Sequence, residues 1–79
     1  NVLADVYDPW VDPNEAHREY GITPISHPAT GQYDAIILAV AHQQFKEMGE
    51  HKIRMYGKES HVVYDLKYIL PRHAADLRL

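Results

Sequence analysis

The sequence predicts an α/β fold, a Rossmann-like three-layer fragment with a mostly parallel sheet of about three to four strands. Residues 35–41 are seven apolar residues without a charge. This is the pattern of a strand buried on both faces, as in a parallel sheet covered by helices. Polar residues follow from position 42, and Phe45 and Met48 then recur at helical spacing. A buried strand that runs directly into a helix is half of a βαβ unit, and predicted strands and helices alternate along the rest of the chain.

The first predicted strand covers residues 2–7 and ends at an Asp-Pro pair, because proline cannot continue a hydrogen-bonded ladder. A helix of about two turns follows it. Asp12 suits the N-cap of this helix and Pro13 suits its first position, while Gly21 is well placed as the C-terminal cap. These signals predict a helix over residues 13–20.

The middle of the chain predicts two further strands and a helix. Residues 22–25 could form a short strand at an edge of the sheet, because Pro24 interrupts it. The central strand is predicted from residue 34 to residue 40 or 41. The helix after it covers residues 42–49, where a glycine ends it, and a second short helical turn fits residues 51–56.

The last predicted strand covers residues 61–66 and is β-branched in its middle. A polar turn over residues 57–60 precedes it, and the tail over residues 72–79 shows no clear period beyond one helical turn. Ligands of such sheets bind at the carboxyl ends of the strands. The corner after the central strand is therefore the first place to expect a site.

Composition narrows the functional classes. The chain has 79 residues and no cysteine, which excludes a disulfide framework and a thiolate metal site. Its longest apolar run is seven residues, far below the roughly 20 that span a bilayer. A net charge of -3 with mixed signs argues against nucleic acid as a partner. The six histidines show no helical zinc spacing, so we expect no metal site.

Several pieces of the sequence, in order, resemble the C-terminal domain of the UDP-glucose/GDP-mannose dehydrogenase family. The nearest resemblance is to the branch that acts on UDP-N-acetylated hexosamines in bacterial surface-polysaccharide synthesis. The pieces are Val6-Tyr7-Asp8-Pro9, Tyr20-Gly21, Tyr33-Asp34-Ala35-Ile36-Ile37-Leu38-Ala39-Val40-Ala41-His42 with Phe45, Val62-Val63-Tyr64-Asp65-Leu66-Lys67, and Arg78-Leu79. Each piece alone is weak, but the ordered set spans nearly the whole chain and is fairly specific.

The resemblance implies a role in substrate binding. Family enzymes oxidise the sugar C6 alcohol to a carboxylate in two NAD-dependent steps through a cysteine-bound intermediate, and an N-terminal domain binds NAD. This sequence has neither a cysteine nor a G-x-G-x-x-G motif, so we expect a non-catalytic part of an NAD-dependent oxidoreductase. Whether the chain counts as an enzyme by itself stays open.

The resemblance also implies domain limits and partners. Residues 1–79 correspond to the C-terminal UDP-sugar-binding domain without its first strand and helix. We therefore expect this chain to bind the UDP-sugar weakly or not at all, because the opposing wall of the site is missing. The expected partners are the UDP-sugar, the remaining domains of a parent chain and further copies in a homo-oligomer. We expect no nucleic acid and no membrane, NAD bound by another domain, and a cytoplasmic location.

Three residues are predicted to bind substrate. His42, at the strand-to-helix corner, could donate a hydrogen bond to uridine or phosphate beside the positive end of a helix. Alternatively, it caps that helix or packs locally. Lys67 lies near positions where family members place basic residues and could neutralise a diphosphate. Otherwise it is a solvated lysine or a partner for Asp65. Tyr68 could stack on a base or simply pack at the sheet edge. No catalytic residue is predicted.

Three neighbouring residues favour structural roles. Asp8 resembles the acid that binds a ribose hydroxyl in dinucleotide folds, but the glycine-rich turn is absent and a simple turn is favoured. Phe45 is predicted to lie in the core on one helical stripe with Met48. Asp65 is predicted to orient Lys67 or to bond to loop amides.

Alternative functions remain open at this point. A free-standing α/β module for protein interaction or regulation would need its own complete core. A flavodoxin-like or receiver-like phosphate binder would need an acidic cluster, which Asp5 and Asp8 alone do not make. Exposed strand edges could also drive pairing between copies.

Overall fold

The structure, a computed structural model, describes residues 3–78. Three parallel strands form one open sheet in the order β1-β2-β3: β1 (Tyr33–Leu38), β2 (Gly57–Asp65) and β3 (Leu77–Arg78). Two α-helices accompany the sheet, α1 (Pro13–Tyr20) and α2 (Gln43–Arg54), and a 3₁₀ turn covers Arg72–Ala74. The predicted α/β class with a parallel sheet of about three strands is confirmed.

The first helix begins and ends where the sequence predicts. The Asp12 carboxylate accepts hydrogen bonds from the backbone N–H groups of Asn14 at 2.9 Å and Glu15 at 3.4 Å. These bonds satisfy two of the amides that a helix start leaves without partners. At the other end, Gly21 adopts the left-handed conformation with φ 69° and its N–H donates to the His17 carbonyl. Local capping chemistry therefore sets both bounds of α1.

β1, α2 and β2 form a parallel βαβ unit that contains most of the core. Ile36 pairs with Val63 and Leu38 with Asp65 across the two strands. Ile53 of α2 and Val63 of β2 are almost fully buried. The buried core cluster consists of Leu38, Ile53, Val63, Leu70 and Ala74. The segment after β2 thus packs onto the same core and positions the loop beyond the strand.

Helix α2 is interrupted at the glycine that the sequence marks as its end. Gly49 has φ 76° and ψ 173°, which is not helical, and the helix resumes and continues to Arg54. The predicted break at Gly49 is confirmed, and the predicted short turn after it is the second part of the same kinked helix. Glycine suits this position because a positive φ strains residues that carry a Cβ.

Two predicted strands are wrong. Residues 3–7 lie in no sheet ladder, and Val2 of that prediction lies outside the described residues. Residues 22–25 form no strand either, and one backbone hydrogen bond, from Ile25 N–H to the Val6 carbonyl, links the two segments. The physical reason is the lack of a neighbouring strand. An apolar segment forms a strand only where a partner supplies the other half of the ladder.

The remaining differences concern strand limits. β1 ends at Leu38, two or three residues earlier than predicted. β2 begins at Gly57 and takes in the residues predicted as a turn, because Tyr33 pairs with Gly57 before an irregularity in the register. The tail contains the one helical turn that the sequence allows, and β3 follows it. The sequence does not predict β3. β3 is a two-residue strand and has no pattern that could reveal it.

Gly57, the first residue of β2, lies directly against the ring of His61. A Cβ at this position would overlap the His61 ring, whose Nδ1 lies 2.6 Å from the Lys58 carbonyl and whose Nε2 lies 3.2 Å from Arg54 Nη1. We expect Gly57→Ala to lower the free energy of unfolding by about 1–3 kcal/mol, because the ring must leave both partners. Chemical denaturation measures this loss.

The control for Gly57→Ala is the same substitution in a His61→Ala background. The overlap is then removed, so the alanine should cost much less there than in the parent chain. Equal losses in the two backgrounds would show that the His61 ring is not the cause.

No helix within residues 3–78 is both long and apolar enough to cross a bilayer.

Candidate functional site

The carboxyl ends of the three strands meet at one edge of the sheet, which we call the carboxyl edge. Leu38 and Asp65, the last residues of β1 and β2, are register partners, and Arg78 at the end of β3 pairs with Asp65. The Leu66 N–H donates to the Leu38 carbonyl at 3.0 Å. Because the strands are parallel, the segments that follow them leave the sheet on the same side. This edge is where ligands of open parallel sheets bind.

His42 lies beyond β1 at the start of α2 and interacts with two distant residues. Its Nε2 is 3.0 Å from Asp8 Oδ1, and its ring centroid lies 6.1 Å from that of Trp10. The ring is also close to Phe45, at 5.5 Å between centroids. Although His42 occupies the N-cap position, its side chain makes no capping hydrogen bond. Of the two structural alternatives, local packing is therefore present and capping is not.

The Asp8 carboxylate determines which ring nitrogen of His42 is available. A carboxylate accepts hydrogen bonds, so Nε2 carries a proton and donates to Asp8. A ligand must then meet Nδ1. This nitrogen accepts in the neutral imidazole and donates in the imidazolium. A role as donor to phosphate therefore requires the protonated ring.

Asp8 has the predicted turn role and an additional one. Its Oδ1 accepts the Trp10 N–H at 2.9 Å, which closes an Asx turn after the N-terminal segment. The same carboxylate contacts His42, 34 residues away in sequence. Sequence reasoning missed this pair and missed Trp10, whose side chain is 70% exposed beside the His42 ring. No local pattern signals either contact.

Asp65 organises the loop that carries Lys67 and Tyr68. It is fully buried and accepts backbone N–H groups of Lys67 at 3.2 Å, Ile69 at 3.0 Å and Leu70 at 2.8 Å. Burial by itself raises the pKa of Asp65. The three donors and the positive charge of Arg78 outweigh burial, so the pKa lies below its ordinary value. The predicted bonding of Asp65 to loop amides is confirmed.

Lys67 is exposed at the carboxyl edge with its backbone fixed by Asp65. Within residues 3–78 its ammonium group makes no ion pair, so the suggested pairing with the Asp65 carboxylate is not observed. A lysine whose backbone is fixed by a hydrogen bond and whose ammonium group is exposed suits an anionic ligand. The structure thus places Lys67 beyond β2, at the edge where His42 lies beyond β1.

Tyr68 adopts an unusual backbone conformation next to Lys67. Its φ is 54°, in the left-handed region that bulky residues rarely enter, and 57% of its surface is exposed. The guanidinium carbon of Arg78 lies 4.1 Å from the ring centroid, a cation–π distance. Arg78 is a residue that sequence reasoning missed as a candidate for the site.

An apolar groove of about 400 Å³ runs along β1, on the side away from β2. The N-terminal segment over residues 4–8 forms one wall, and β1 forms the other. Phe45, Met48 and Ile53 of α2 also line it, and His42 stands at the end towards the carboxyl edge. Phe45, predicted to lie in the core, is only half-buried. Its ring faces this groove and contacts Tyr7.

Comparison with known proteins gives a family model and two curated relatives. The family model described as "UDP-glucose/GDP-mannose dehydrogenase family, UDP binding domain" matches residues 1–72. A UDP-N-acetyl-D-glucosamine 6-dehydrogenase of Salmonella typhi is 59% identical over 75 residues, which are 95% of this chain and 18% of the relative. The enzyme of the same name from Pseudomonas aeruginosa is 57% identical over 79 residues, 100% of this chain and 19% of the relative.

The chain spans about a fifth of the length of these relatives. No solved structure matches it.

Proposed function

Because this chain belongs to the UDP-glucose/GDP-mannose dehydrogenase family, we propose that it is the substrate-binding portion of an NAD-dependent UDP-N-acetylhexosamine 6-dehydrogenase. It supplies one wall of the nucleotide-sugar site and does no chemistry alone. The observation that carries this proposal is the carboxyl edge, where His42 follows β1 and Lys67 follows β2. The names of the two relatives support the sugar, an N-acetylated hexosamine. The cytoplasmic location and the role in bacterial surface-polysaccharide synthesis that belong to this proposal rest on the family resemblance alone.

Each of the three residues has a distinct chemical task in this proposal. The Lys67 ammonium neutralises the diphosphate as a point charge. The exposed ring of Tyr68 offers a face on which the uracil base stacks. His42 meets the nucleotide through Nδ1, while Asp8 holds the ring from the other side. Together they position the nucleotide so that the sugar extends towards the rest of the parent enzyme.

NAD, the hydride acceptor of such a reaction, does not fit the described residues. The sequence has no G-x-G-x-x-G turn to approach a pyrophosphate. Asp8, the residue that could meet a ribose hydroxyl, already accepts Trp10 N–H and contacts His42. We therefore assign NAD to another domain of a parent chain, and the nucleophilic cysteine likewise.

The groove along β1 supports the proposed domain limits. Within residues 3–78, β1 is paired on one side only, and the apolar cleft of about 400 Å³ separates it from the N-terminal segment. An extended strand inserted there would pair with β1 and cover Ile37, which is 62% exposed. We propose that a UDP-sugar-binding domain contains such a strand and its helix in addition to residues 1–79, and that further domains and further copies of the parent chain complete the enzyme.

A chimeric enzyme tests the proposed function. The matching 79 residues of the Pseudomonas aeruginosa relative are replaced by this chain, which is 57% identical there. We expect the chimera to oxidise UDP-N-acetylglucosamine with NAD at a kcat/KM within about tenfold of the parent enzyme, because the wall that holds the nucleotide is retained. Steady-state NADH formation is the measurement.

Two controls accompany the chimera. A second chimera with Lys67→Ala should show a raised KM, whereas one with Lys52→Ala, an exposed helical lysine, should match the unmodified chimera. A chimera that folds but gives no NADH with any UDP-N-acetylhexosamine would refute the proposed function.

A further inference from the structure

We propose that Arg78 is a further ligand-contacting residue of this site and that its guanidinium group binds the diphosphate of the nucleotide. This inference rests on the proposed function and deepens it, because it assigns a second, planar cation beside Lys67. The residue lies at the last position of β3, in register with Asp65 at the end of β2. It therefore stands at the carboxyl edge, on the strand next to the one that leads into Lys67 and Tyr68.

One hydrogen-bond donor of Arg78, the Nε group, has no partner within residues 3–78. A guanidinium group carries five N–H donors in a fixed fork. The Nε of Arg78 is buried. Within the same range, no ion pair joins the group to a carboxylate, including the nearby Asp65. A buried donor without a partner is costly in a finished fold, so a ligand that accepts from the fork explains it.

Arg54 shows what an arginine with a structural role looks like in this chain. Its guanidinium donates to Glu50 at 3.2 Å, to Asp76 at 3.2 Å and to the Ala74 carbonyl at 2.9 Å. Arg78 has a comparable half-buried position but none of these partners. Arg54 therefore connects elements of the fold, whereas Arg78 keeps a donor that an external anion can use.

Tyr68 fixes the orientation of the Arg78 guanidinium. The ring lies 4.1 Å from the guanidinium carbon, so a cation–π contact holds the group without consuming its N–H donors. The left-handed backbone of Tyr68 is a conformation that costs free energy and that is concentrated at functional sites. Asp65, whose pKa the charge of Arg78 lowers, accepts hydrogen bonds from three amides and forms no ion pair with the guanidinium within residues 3–78, so the guanidinium N–H donors are not used by this acid.

The local charge at this edge suits a diphosphate. Lys67 and Arg78 bring two cations to adjacent strands, and Asp65 is the acid buried beneath them. Phosphate groups form paired hydrogen bonds with the arginine fork, a geometry that an ammonium group lacks. A nucleoside without phosphates would miss this contact altogether. Arg78 should therefore determine how much more tightly the site binds a nucleoside diphosphate than the nucleoside alone.

Titration of the isotope-labelled chain with uridine 5′-diphosphate and with uridine, followed by two-dimensional NMR, tests this inference. We expect Arg78→Gln to weaken diphosphate binding about tenfold and uridine binding less than twofold, because only the phosphate contact is lost. Arg78→Lys keeps the charge without the fork and should fall between the two. The matched control is Arg72→Gln, an exposed arginine in the 3₁₀ turn, which should change neither affinity by more than about twofold.

The outcomes separate this inference from the proposed function. If the unmodified chain binds the diphosphate and the Arg78→Gln variant binds it equally well, the inference fails and the proposed function stands. Equal weakening for diphosphate and uridine would mean that Arg78 only supports the loop, which also overturns the inference. If the unmodified chain shows no shifts with the diphosphate at tens of millimolar, the same variants in the chimeric enzyme decide by the inhibition constants of uridine 5′-diphosphate and uridine, and equal inhibition constants for the unmodified and the Arg78→Gln chimera overturn the inference. Should Arg78→Gln unfold, Arg78→Lys decides by the same comparison.

Discussion

Asp65→Ala should remove a large part of the stability of this chain. The carboxylate is fully buried and accepts three backbone N–H groups. Its removal leaves those donors buried without partners and leaves the charge of Arg78 without its nearest counter-charge. We expect a loss of about 3–5 kcal/mol, whereas a domain of this size has a total stability of roughly 4–12 kcal/mol. Denaturant unfolding followed by far-UV circular dichroism measures the difference.

The matched control for Asp65→Ala is Asp34→Ala. Asp34 has an exposed carboxylate, with 85% of its side chain accessible, and pairs with Lys58 at 3.0 Å. Exposed pairs contribute about 0–1 kcal/mol, so this variant should unfold close to the parent. Similar losses for the two aspartates would contradict the assignment of Asp65 as the anchor of the loop.

The same residue predicts part of the acid sensitivity. The folded pKa of Asp65 lies below its ordinary value of 3.8. Its contribution to stability is therefore present above the unfolded pKa and is lost as the pH falls through the folded pKa. Asp65→Asn removes this titration, so its unfolding free energy should fall less steeply than that of the parent below about pH 4. Asp76, whose pKa is also lowered, contributes equally to both chains and cancels in the comparison.

Arg54→Met is expected to have the second largest effect. Arg54 links α2 to the segment before β3, since it bonds to Glu50, to Asp76 and to the Ala74 carbonyl. Methionine fills the space but leaves the carbonyl and one carboxylate without their donor. We expect a loss of about 2–4 kcal/mol in the free energy of unfolding. Lys52→Met, an exposed neighbour on the same helix, should change stability by less than about 0.5 kcal/mol.

A double-mutant cycle with Asp76→Asn isolates the pair. The Asp76 carboxylate accepts Arg54 at 3.2 Å and the Val63 N–H at 2.8 Å, and its hydrogen bond is the main cause of the raised pKa of Arg54. We expect a coupling energy of about 1–3 kcal/mol between the two side chains. A coupling near zero would show that Arg54 acts through its packing and not through this bond.

Much of the fold follows from local signals in the sequence. Asp12 and Gly21 bound α1 because caps depend on residues within a few positions. Gly49 interrupts α2 for a similarly local reason, since a positive φ is required there. The apolar run that contains β1 and the β-branched centre of β2 are equally visible. The family resemblance drew on the same stretches, and the family model matches residues 1–72.

The rest depends on contacts between distant residues. The N-terminal segment has an apolar pattern but no neighbouring strand, so pattern alone predicts a ladder that does not form. β3 has two residues and exists because the Arg54–Asp76 contact brings the tail to β2. At the site, the position of His42, Lys67 and Tyr68 after strands is visible in sequence. The Asp8–His42 pair and the Tyr68–Arg78 stack, by contrast, join residues far apart in the chain.

The brevity of β3 has a consequence for how long the carboxyl edge persists. Its two residues pair with Tyr64 and Asp65, so separating them from β2 opens a small part of the sheet and leaves the central βαβ unit intact. Such sub-global opening has a lower free energy than complete unfolding and occurs more often. This local opening therefore limits the lifetime of the Tyr68–Arg78 stack, and amide exchange rates near the C-terminus report it. The Arg54–Asp76 hydrogen bond holds the segment before β3 and slows the opening.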